Sequence, residues 1–432
     1  MGPVQIEIRP SGNEGENLPH LLKTDTHQKG RIPAKTLGTQ NKKVRLRVPQ
    51  CLRSRGGAVE GIQAGMFEHL ALSADGKYLA GPQGNSTLSL WDTTSGKSIL
   101  AFGIPTYPGI KGFAFSPDGK MVAVVNADST IAFWETISGT QRVRFGTPRP
   151  FPRVTVGGTM DQYSSDPHSV VVFAPDGKTL AVGSPDGKLR LWDADRGQEL
   201  VVLEGHSTDG KARGTTYPLS TPGRIESLAF SMDGKRLASG SADTTALLWD
   251  LTNLKRPQHA PLLPRQAEAL WNDLAADAAK AHQAIIALSH SPGQSVPLLR
   301  DRVQPVAAPA AERLQQLVAA LESDEFAVRQ KAGQELEQLG DLAEPALRRV
   351  LESKPSLDVR RRIEALLDKA GTGTWSGERL RLWRVIEVLE GIGTPDAQAV
   401  LKTLAEGAPA SRLTQEAKAS LERLAKRAGS GS

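Results

Sequence analysis

The chain has 432 residues and a formal net charge of +6, with 53 Lys and Arg against 47 Asp and Glu. This length is enough for two domains that each bury a core of their own. The single cysteine, Cys51, excludes an internal disulfide bond, and no apolar run reaches the length of a signal peptide or a membrane span. We therefore predict a cytoplasmic protein with no membrane segment.

Residues 1–65 form a basic leader, which we predict to be mostly disordered or to contribute one strand. Within residues 1–60, eleven Lys or Arg stand against five Asp or Glu, which accounts for the entire net charge of the chain. The basic run at residues 42–47 is typical of segments that contact nucleic acid or acidic lipid. Aromatic residues for base stacking are absent there. A solvated or strand-forming leader explains the run better, so nucleic acid is not the expected partner.

Residues 66–256 contain four copies of one sequence pattern. Each copy has an apolar residue, an Asp-Gly-Lys turn, a short apolar run, a second polar turn and a final tryptophan. The Asp-Gly-Lys turns lie at residues 75–77, 118–120, 176–178 and 233–235, and the tryptophans are Trp91, Trp134, Trp192 and Trp249. A unit that recurs in this order is one supersecondary element stacked on copies of itself.

The spacing of the four tryptophans shows where the copies differ. Their steps are 43, 58 and 57 residues, and a four-stranded propeller blade takes about 40 to 45 residues. The first step therefore has the length of one blade without an insertion. The two longer steps include insertions at residues 146–168 and 207–223. Both insertions are rich in Gly, Pro, Ser and Thr, which predicts loops on one rim.

The turns and tryptophans resemble the WD40-repeat family over residues 67–251, which implies blades of a β-propeller. In that family a His, a Ser or Thr, a turn Asp and the Trp hydrogen-bond within a blade. Only the fourth unit carries a full candidate set, namely His206, Ser239 or Ser241, Asp243 and Trp249. The other units lack the Gly-His pair, so we expect packing alone to hold them.

Propellers close with about four to eight blades. WD40 rings mostly use the upper part of that range, so four recognisable blades leave a gap in the ring. No good fourth strand follows Trp249, so the last blade should lack its outer strand. Residues 44–48 of the leader, or less favourably residues 4–8, could supply it. Otherwise a partner chain, self-association that completes the propeller, or the C-terminal helices would have to cover the exposed edges.

Beyond a linker at residues 257–269, the composition changes to Ala, Leu, Glu and Arg with apolar residues three and four apart. This pattern predicts an all-α domain over residues 270–428. The expected helices are residues 277–289, 311–321, 324–339, 342–351, 357–367, 378–389, 396–404 and 414–425. Residues 326–347 resemble a HEAT-type helical pair, and the whole layout resembles uncharacterised bacterial WD40 proteins. The run Arg360, Arg361 and Arg362 is a candidate interaction site, although a solvated helix face explains it better.

No motif in the chain indicates a catalytic, cofactor or metal site. The aspartates of the Asp-Gly-Lys segments recur as turn residues, and the eight histidines never pair at metal-ligand spacing. We predict no catalytic, cofactor or metal site. The expected function is a non-catalytic scaffold that binds protein or peptide partners through the propeller loops and the helical face. The alternative is a sensor or regulatory portion of a larger protein whose catalytic or DNA-binding part lies upstream.

Overall fold

A computed structural model describes residues 70–82, 87–93, 96–103, 110–148, 169–206, 223–256, 262–372, 375 and 377–429. The basic leader, both of its candidate strands and Cys51 lie outside the described residues, as does most of the two insertions.

Four antiparallel sheets follow one another, one for each copy of the sequence pattern, so the predicted blades are confirmed. Blade 1 contains β1 (Ala71–Leu72), β2 (Tyr78–Pro82), β3 (Thr87–Asp92) and β4 (Ser98–Gly103). Blade 2 contains β5 (Ile110–Phe115), β6 (Met121–Asn126), β7 (Ile131–Glu135) and β8 (Gln141–Phe145). Blade 3 contains β9 (Val170–Phe173), β10 (Thr179–Gly183), β11 (Leu189–Asp193) and β12 (Gln198–Leu203). Blade 4 contains β13 (Ile225–Phe230), β14 (Arg236–Ser241) and β15 (Ala246–Asp250). In each sheet the strands pair in chain order, which makes a meander.

The Asp-Gly-Lys turn is held by its own side chains. In blade 2 the Asp118 carboxylate accepts hydrogen bonds from the Ser116 hydroxyl at 2.5 Å and from the Lys120 N–H at 3.0 Å. Gly119 has φ +73°, a conformation that only glycine adopts at little cost. The aspartate carboxylate therefore stabilises the turn through hydrogen bonds. This structural role agrees with the repetition of the aspartate in all four units.

Neighbouring blades pack face to face. We call the face that meets the preceding blade the leading face, and the face that meets the following blade the trailing face. Leu90 on the trailing face of blade 1 shares a core with Val122 and Trp134 on the leading face of blade 2. Leu191 of blade 3 packs in the same way with Leu237 of blade 4. The propeller core thus consists of the joints between blades.

Blade 4 has three strands within the described part of the chain. The leader segments that could supply an outer strand lie outside that part, so the missing outer strand stays a prediction. Its third strand, β15, alternates between exposed and half-buried residues, whereas β7 of blade 2 is buried throughout. Among the described residues, strand β15 is therefore the last strand of the sheet.

Ten α-helices follow blade 4 in the described residues. They are α1 (Ala267–Asp273), α2 (Ala278–Ser289), α3 (Pro292–Arg302), α4 (Ala311–Ala320), α5 (Phe326–Leu339), α6 (Glu344–Glu352), α7 (Leu357–Thr372), α8 (Gly377–Ile392), α9 (Pro395–Ala405) and α10 (Arg412–Gly429). The all-α prediction is confirmed, and α1 and α3 are additional to the eight expected helices. A 3-10 turn at Pro264–Gln266 and the start of α1 fall within residues 257–269. Helix α3 contains an internal Pro297, which weakens its sequence signal, and burial of Leu299 holds it in place.

The helices form two groups with separate cores. Helices α1–α3 and α8–α10 share a core that includes Leu274, Leu299, Val385 and Leu389. The intervening helices α4–α7, which contain the HEAT-like segment, bury their own cluster of apolar residues, namely Leu317, Leu321, Ala332, Leu336, Ala343, Leu347, Val359 and Ile363. The second group is therefore inserted in the chain between α3 and α8 of the first group.

Candidate interaction surfaces

A chain of hydrogen-bonded polar side chains crosses blade 4. The Trp249 indole N–H donates to Ser239 Oγ at 2.8 Å, and Ser239 Oγ lies 2.8 Å from His206 Nε2. On the other side of the ring, His206 Nδ1 lies 2.9 Å from Thr245 Oγ1 and 3.3 Å from Asp243 Oδ2. The structure thus brings together four of the five residues that the sequence singles out.

The network defines the roles of its members. Because an indole N–H can only donate, Ser239 accepts from Trp249. Thr245 donates its hydroxyl proton to Asp243, so both groups that face His206 Nδ1 are acceptors, and the ring proton is assigned to Nδ1 on that ground. Ser241, the alternative to Ser239, instead donates to the backbone carbonyl of residue 223 at 3.0 Å. Thr245, which the sequence analysis missed, donates to Asp243 Oδ1 at 2.6 Å. The signal for Thr245 is a hydroxyl two residues after a turn aspartate.

In blades 2 and 3 an arginine contacts the turn aspartate that histidine contacts in blade 4. Arg144 donates to Asp128 at 2.5 Å and to Thr130 at 2.9 Å. Arg190 donates to Asp186 at 2.8 Å. The expectation that packing alone holds these blades is therefore wrong for both turns.

Trp134 and Trp192 pack in the joints between blades, whereas Trp91 is buried on the leading face of blade 1. Trp91 and Trp134 are 1% and 8% exposed, and Trp134 lies against Phe102 with ring centroids 5.5 Å apart. The buried indole N–H groups of Trp134 and Trp192 have no hydrogen-bond partner among the described residues. In blades 2 and 3 the tryptophan consequently contributes packing rather than a polar network.

A buried ionic cluster joins blade 2 to the helices. Arg142 on β8 donates to Glu135 Oε1 and to Glu387 Oε1, each at 2.6 Å. Arg384 on α8 donates to both carboxylate oxygens of Glu135, at 2.9 and 2.8 Å. Glu135 and Arg384 are at most 1% exposed, so water does not screen these pairs.

A second cluster lies beside it at the Asp-Gly-Lys turn of blade 2. The Lys120 ammonium lies 2.8 Å from Glu390 on α8 and 3.0 Å from Glu416 on α10. Arg423 donates to both oxygens of Glu390, at 2.8 and 2.7 Å, and Ser420 donates to the same carboxylate at 2.8 Å. We call the two clusters together the blade 2 clamp.

Two carboxylates of the clamp, Glu135 and Glu390, are held in the ionised form. Burial by itself raises the pKa of Glu135, but Arg142 and Arg384 outweigh it and lower that pKa from 4.5 to about 2. Burial opposes ionisation of Glu390 in the same way, and Lys120 and Arg423 hold its pKa well below the usual range. Each buried charge therefore has its counter-ion, which is the condition under which such a junction is stable.

His282 on α2 lies at the same junction. Both of its ring nitrogens are buried without a hydrogen-bond partner in the described part of the chain, and its ring stands edge-on to Phe133 at 6.5 Å. Burial, with a contribution from the positive charge of Arg142, lowers the pKa of His282 to about 3. The imidazole is therefore neutral in the folded protein at physiological pH.

The end of helices α4–α7 at which α5 and α7 begin carries the most exposed large apolar side chains of the described helices. Phe326 and Leu357 are 69% and 65% exposed at the starts of α5 and α7. Residues close to them in the chain line a cleft of about 400 Å³, namely Glu322, Ser323, Asp324, Arg329, Ser356, Asp358, Val359 and Arg362. We call residues 322–326 and 356–358 the array rim.

The arginine run lies next to the array rim on α7. Arg360 and Arg361 are exposed and form no ion pair with another described residue. Arg362 pairs with Asp358 and donates to the carbonyl oxygen of Leu321 at 3.0 Å. One member of the run is thus used within the fold, and the other two remain candidates for contacts with a partner.

In the described ranges, no group of three or more His, Cys, Asp or Glu side chains has the arrangement of a metal site. The helices of those ranges include none that is both long and apolar enough to span a bilayer.

Comparison with known proteins agrees with the repeat pattern. Residues 102–135, 158–193 and 215–250 match the WD40 family, described as WD domain, G-beta repeat. The matches end at Glu135, Asp193 and Asp250, the last residues of β7, β11 and β15. The chain therefore carries WD40 repeats.

Similar proteins share part of this region. Protein HIR1 of Kluyveromyces lactis is 39% identical over 82 residues, which is 18% of this chain and 9% of that protein. The guanine nucleotide-binding protein subunit beta of Arabidopsis thaliana is 36% identical over 83 residues, 19% of each chain. Small ribosomal subunit protein RACK1y of Oryza sativa subsp. japonica is 32% identical over 109 residues, 24% of this chain and 27% of that protein. The similarity thus spans well under a third of each relative.

Proposed function

We propose that this protein is a non-catalytic scaffold that binds protein or peptide partners, with the array rim as its main docking surface. The observation that carries the proposal is the exposure of Phe326 and Leu357 beside one cleft. Large apolar side chains that cluster on a surface typically mark an interaction site.

The charges of the array rim favour one kind of partner. Glu322 and Asp324 are exposed and form no ion pair with another described residue, whereas Asp358 is paired with Arg362. The cleft lining carries three acidic side chains and two basic ones, Arg329 and Arg362, so its net charge is −1. We infer that the rim takes a partner segment in which basic residues alternate with apolar ones, since complementary charge steers association and apolar contact supplies affinity.

The blade 2 clamp supports a scaffold role because it fixes the helices to the blades through paired, buried charges. A partner held at the rim then has a defined position relative to the propeller, and pre-organisation of this kind lowers the entropic cost of assembly. The names of two relatives, a subunit beta and a small ribosomal subunit protein, describe components of larger assemblies. Repeat architectures of both kinds provide extended binding surfaces.

The test is quantitative affinity capture with the full chain and with the double variant Phe326→Asp, Leu357→Asp. A partner that uses the rim should bind the wild type and be lost with the double variant. Leu263→Asp is the matched control, since Leu263 is 46% exposed outside the rim, and it should retain the partner.

A charge-reversal variant, Glu322→Lys with Asp324→Lys, checks the inferred chemistry of the partner. It should weaken binding at low ionic strength and have less effect at high salt, because exposed charges are screened there. Capture of the same proteins by wild type and by the Phe326→Asp, Leu357→Asp variant would refute the docking surface.

A further inference from the structure

Two loops with opposite charge meet at the array rim. Residues 321–325 join α4 to α5, and residues 353–356 join α6 to α7. Because the connections between consecutive helices are short, α4–α7 alternate in direction, and α5 packs against α7. Both loops therefore lie at the end where α5 and α7 begin, and residues of both line the cleft.

The first of these loops is acidic. Residues 319–328 contain three acidic residues and no basic one. Glu322, Asp324 and Glu325 are exposed and form no ion pair with another described residue. Arg329, one turn further along α5, is half-buried and donates to two backbone carbonyl oxygens of the loop, each at 2.7 Å. One arginine against three carboxylates leaves this side of the cleft with an excess of negative charge. We call residues 321–325 the acidic loop.

The second loop and the helix turns beside it are basic. Residues 348–362 contain six Arg or Lys and two Asp or Glu. Arg348 pairs with Glu344, and Arg362 pairs with Asp358. The other four cations are exposed and form no ion pair within the described part of the chain, and we call them the basic hairpin: Arg349, Lys354, Arg360 and Arg361.

Helix stability does not explain where these cations lie. Arg360 and Arg361 are near the start of α7, where the helix macrodipole favours negative charge. Lys354 has φ +55°, a conformation that is costly for a side chain and that glycine commonly adopts after the end of a helix. Glu352 and Glu364 are the nearest acidic residues in the chain without an ion pair to a described residue, and they leave an excess of two positive charges. A contact with negative charge outside the fold accounts for this placement.

An apolar side chain stands at the start of each of the two helices. Phe326 directly follows the acidic loop, and Leu357 directly follows the loop between α6 and α7; both are exposed. Packed helices lie about 8–10 Å apart, and an extended chain advances about 3.3 Å per residue. A partner segment that crosses from one loop to the other therefore needs about three residues between its contacts.

We propose that the array rim binds a segment with separated charges. Its basic residues meet the acidic loop, its acidic residues meet the basic hairpin, and about three residues, mainly apolar, lie between the two charged groups. This inference rests on the rim as the docking surface and specifies its partner, because the basic and apolar residues inferred above form one part of the segment. Complementary charges fix the register of such a contact, and a segment with the same charge at both ends meets repulsion at one of them.

Fluorescence anisotropy of short labelled peptides with the full chain is the test. The first peptide has two Lys, three apolar residues and two Glu in that order, with blocked termini. The second has the same composition with one Lys and one Glu at each end, so that neither end has a net charge. The first should bind at least about 10-fold more tightly, as expected for a few exposed ion pairs. High salt should reduce the difference.

Reversal of the basic side shows whether the hairpin makes the contact. Arg360→Glu with Arg361→Glu should abolish the preference for the first peptide and favour a third peptide that has Lys at both ends. Lys402→Glu with Lys418→Glu is the matched control, since it reverses two exposed cations on α9 and α10, and it should leave the preference unchanged.

Reversal of both sides provides the sharpest result. The variant that carries Glu322→Lys and Asp324→Lys together with the two arginine changes inverts the charge of the cleft. It should bind the first peptide again, because the peptide can then dock in the opposite direction. The basic leader is unchanged in this variant and cannot produce the restoration. Circular dichroism and thermal unfolding verify that each variant is folded.

Three results would overturn the inference. Equal affinities of the wild type for the first two peptides, or no binding of the first, would mean that the rim does not recognise separated charges. A preference that survives the two arginine changes would place the acidic end of the peptide elsewhere, such as on the leader. Failure of the fourfold variant to restore binding would exclude the two loops as the contact. Failure of the scaffold role has a different signature, namely partner capture that survives Phe326→Asp with Leu357→Asp.

Discussion

Replacement of Glu135 by glutamine tests whether the blade 2 clamp holds the two parts of the protein together. Glutamine keeps the shape of the side chain and removes the negative charge that faces Arg142 and Arg384. Both arginines are at most 2% exposed, so Glu135→Gln leaves their buried positive charges short of a counter-ion. We expect a large loss of stability, concentrated at the junction between blades and helices.

The expected loss of stability follows from the burial of the ion pairs that Glu135 forms. Loss of one partner from a buried ion pair costs about 3–5 kcal/mol. The lowering of the Glu135 pKa from 4.5 to about 2 corresponds to roughly 3 kcal/mol in favour of the ionised form. The matched control is Asp368→Asn, which removes the exposed contact between Lys97 and Asp368 that also joins blade 1 to the helices. That pair has 58% and 56% exposed side chains, and we expect its loss to cost less than about 1 kcal/mol.

Urea unfolding measured by two signals is the assay. Far-UV circular dichroism follows mainly the helices, and tryptophan fluorescence follows both parts. In Glu135→Gln the midpoints of the two signals should separate, because the helices no longer unfold together with the blades. The stability that Glu135 contributes is present above pH 4.5 and disappears as the pH falls towards 2, so wild type and variant should converge in acid. If Glu135→Gln costs no more than Asp368→Asn and both signals stay coincident, the clamp does not stabilise the junction.

Three further predictions concern single positions. His282 has a folded-state pKa of about 3 against 6.5 when unfolded, so the wild type should lose stability as the pH falls below 6.5, by about 2 kcal/mol at pH 5. Urea titrations at pH 7 and pH 5 should show that His282→Leu removes this loss, and an equal loss in the variant would contradict the assignment. Gly205→Ala would place a Cβ 2.9 Å from Leu247 Cδ1, which should destabilise the protein by about 1–3 kcal/mol. Gly333→Ala, in the middle of α5 with open space around it, should instead stabilise it by about 0.5–1 kcal/mol, and thermal unfolding that ranks the two variants the other way round would contradict the packing.

Local patterns in the sequence predict most of the propeller. The Asp-Gly-Lys turns and the tryptophans locate all four sheets, because turn chemistry and strand alternation act over a few residues. The polar set of blade 4 follows from the same signals, although the choice between Ser239 and Ser241 needs the structure. Both serines lie on β14, and strand register decides that the side chain of Ser239 reaches Trp249 and His206.

The junction between blades and helices shows where prediction from the sequence ends. Arg142 and Glu387 are 245 positions apart in the chain, and neither belongs to a local motif. The one visible sign is Glu135, which stands where the other blades have aspartate after tryptophan. That departure has meaning only when α8 is known to lie against blade 2.

The amino-acid sequence by itself determined the repeated blades, their turns and the helical character of the C-terminal part. Each of these depends on interactions between residues that are close along the chain. The tertiary structure alone decided which charges are buried together, that α4–α7 form a separate core, and that Leu248 on blade 4 is exposed where the equivalent residues of the other blades are buried. These features depend on contacts between distant segments, whose free energy comes from burial and from ion pairs that local periodicity does not encode.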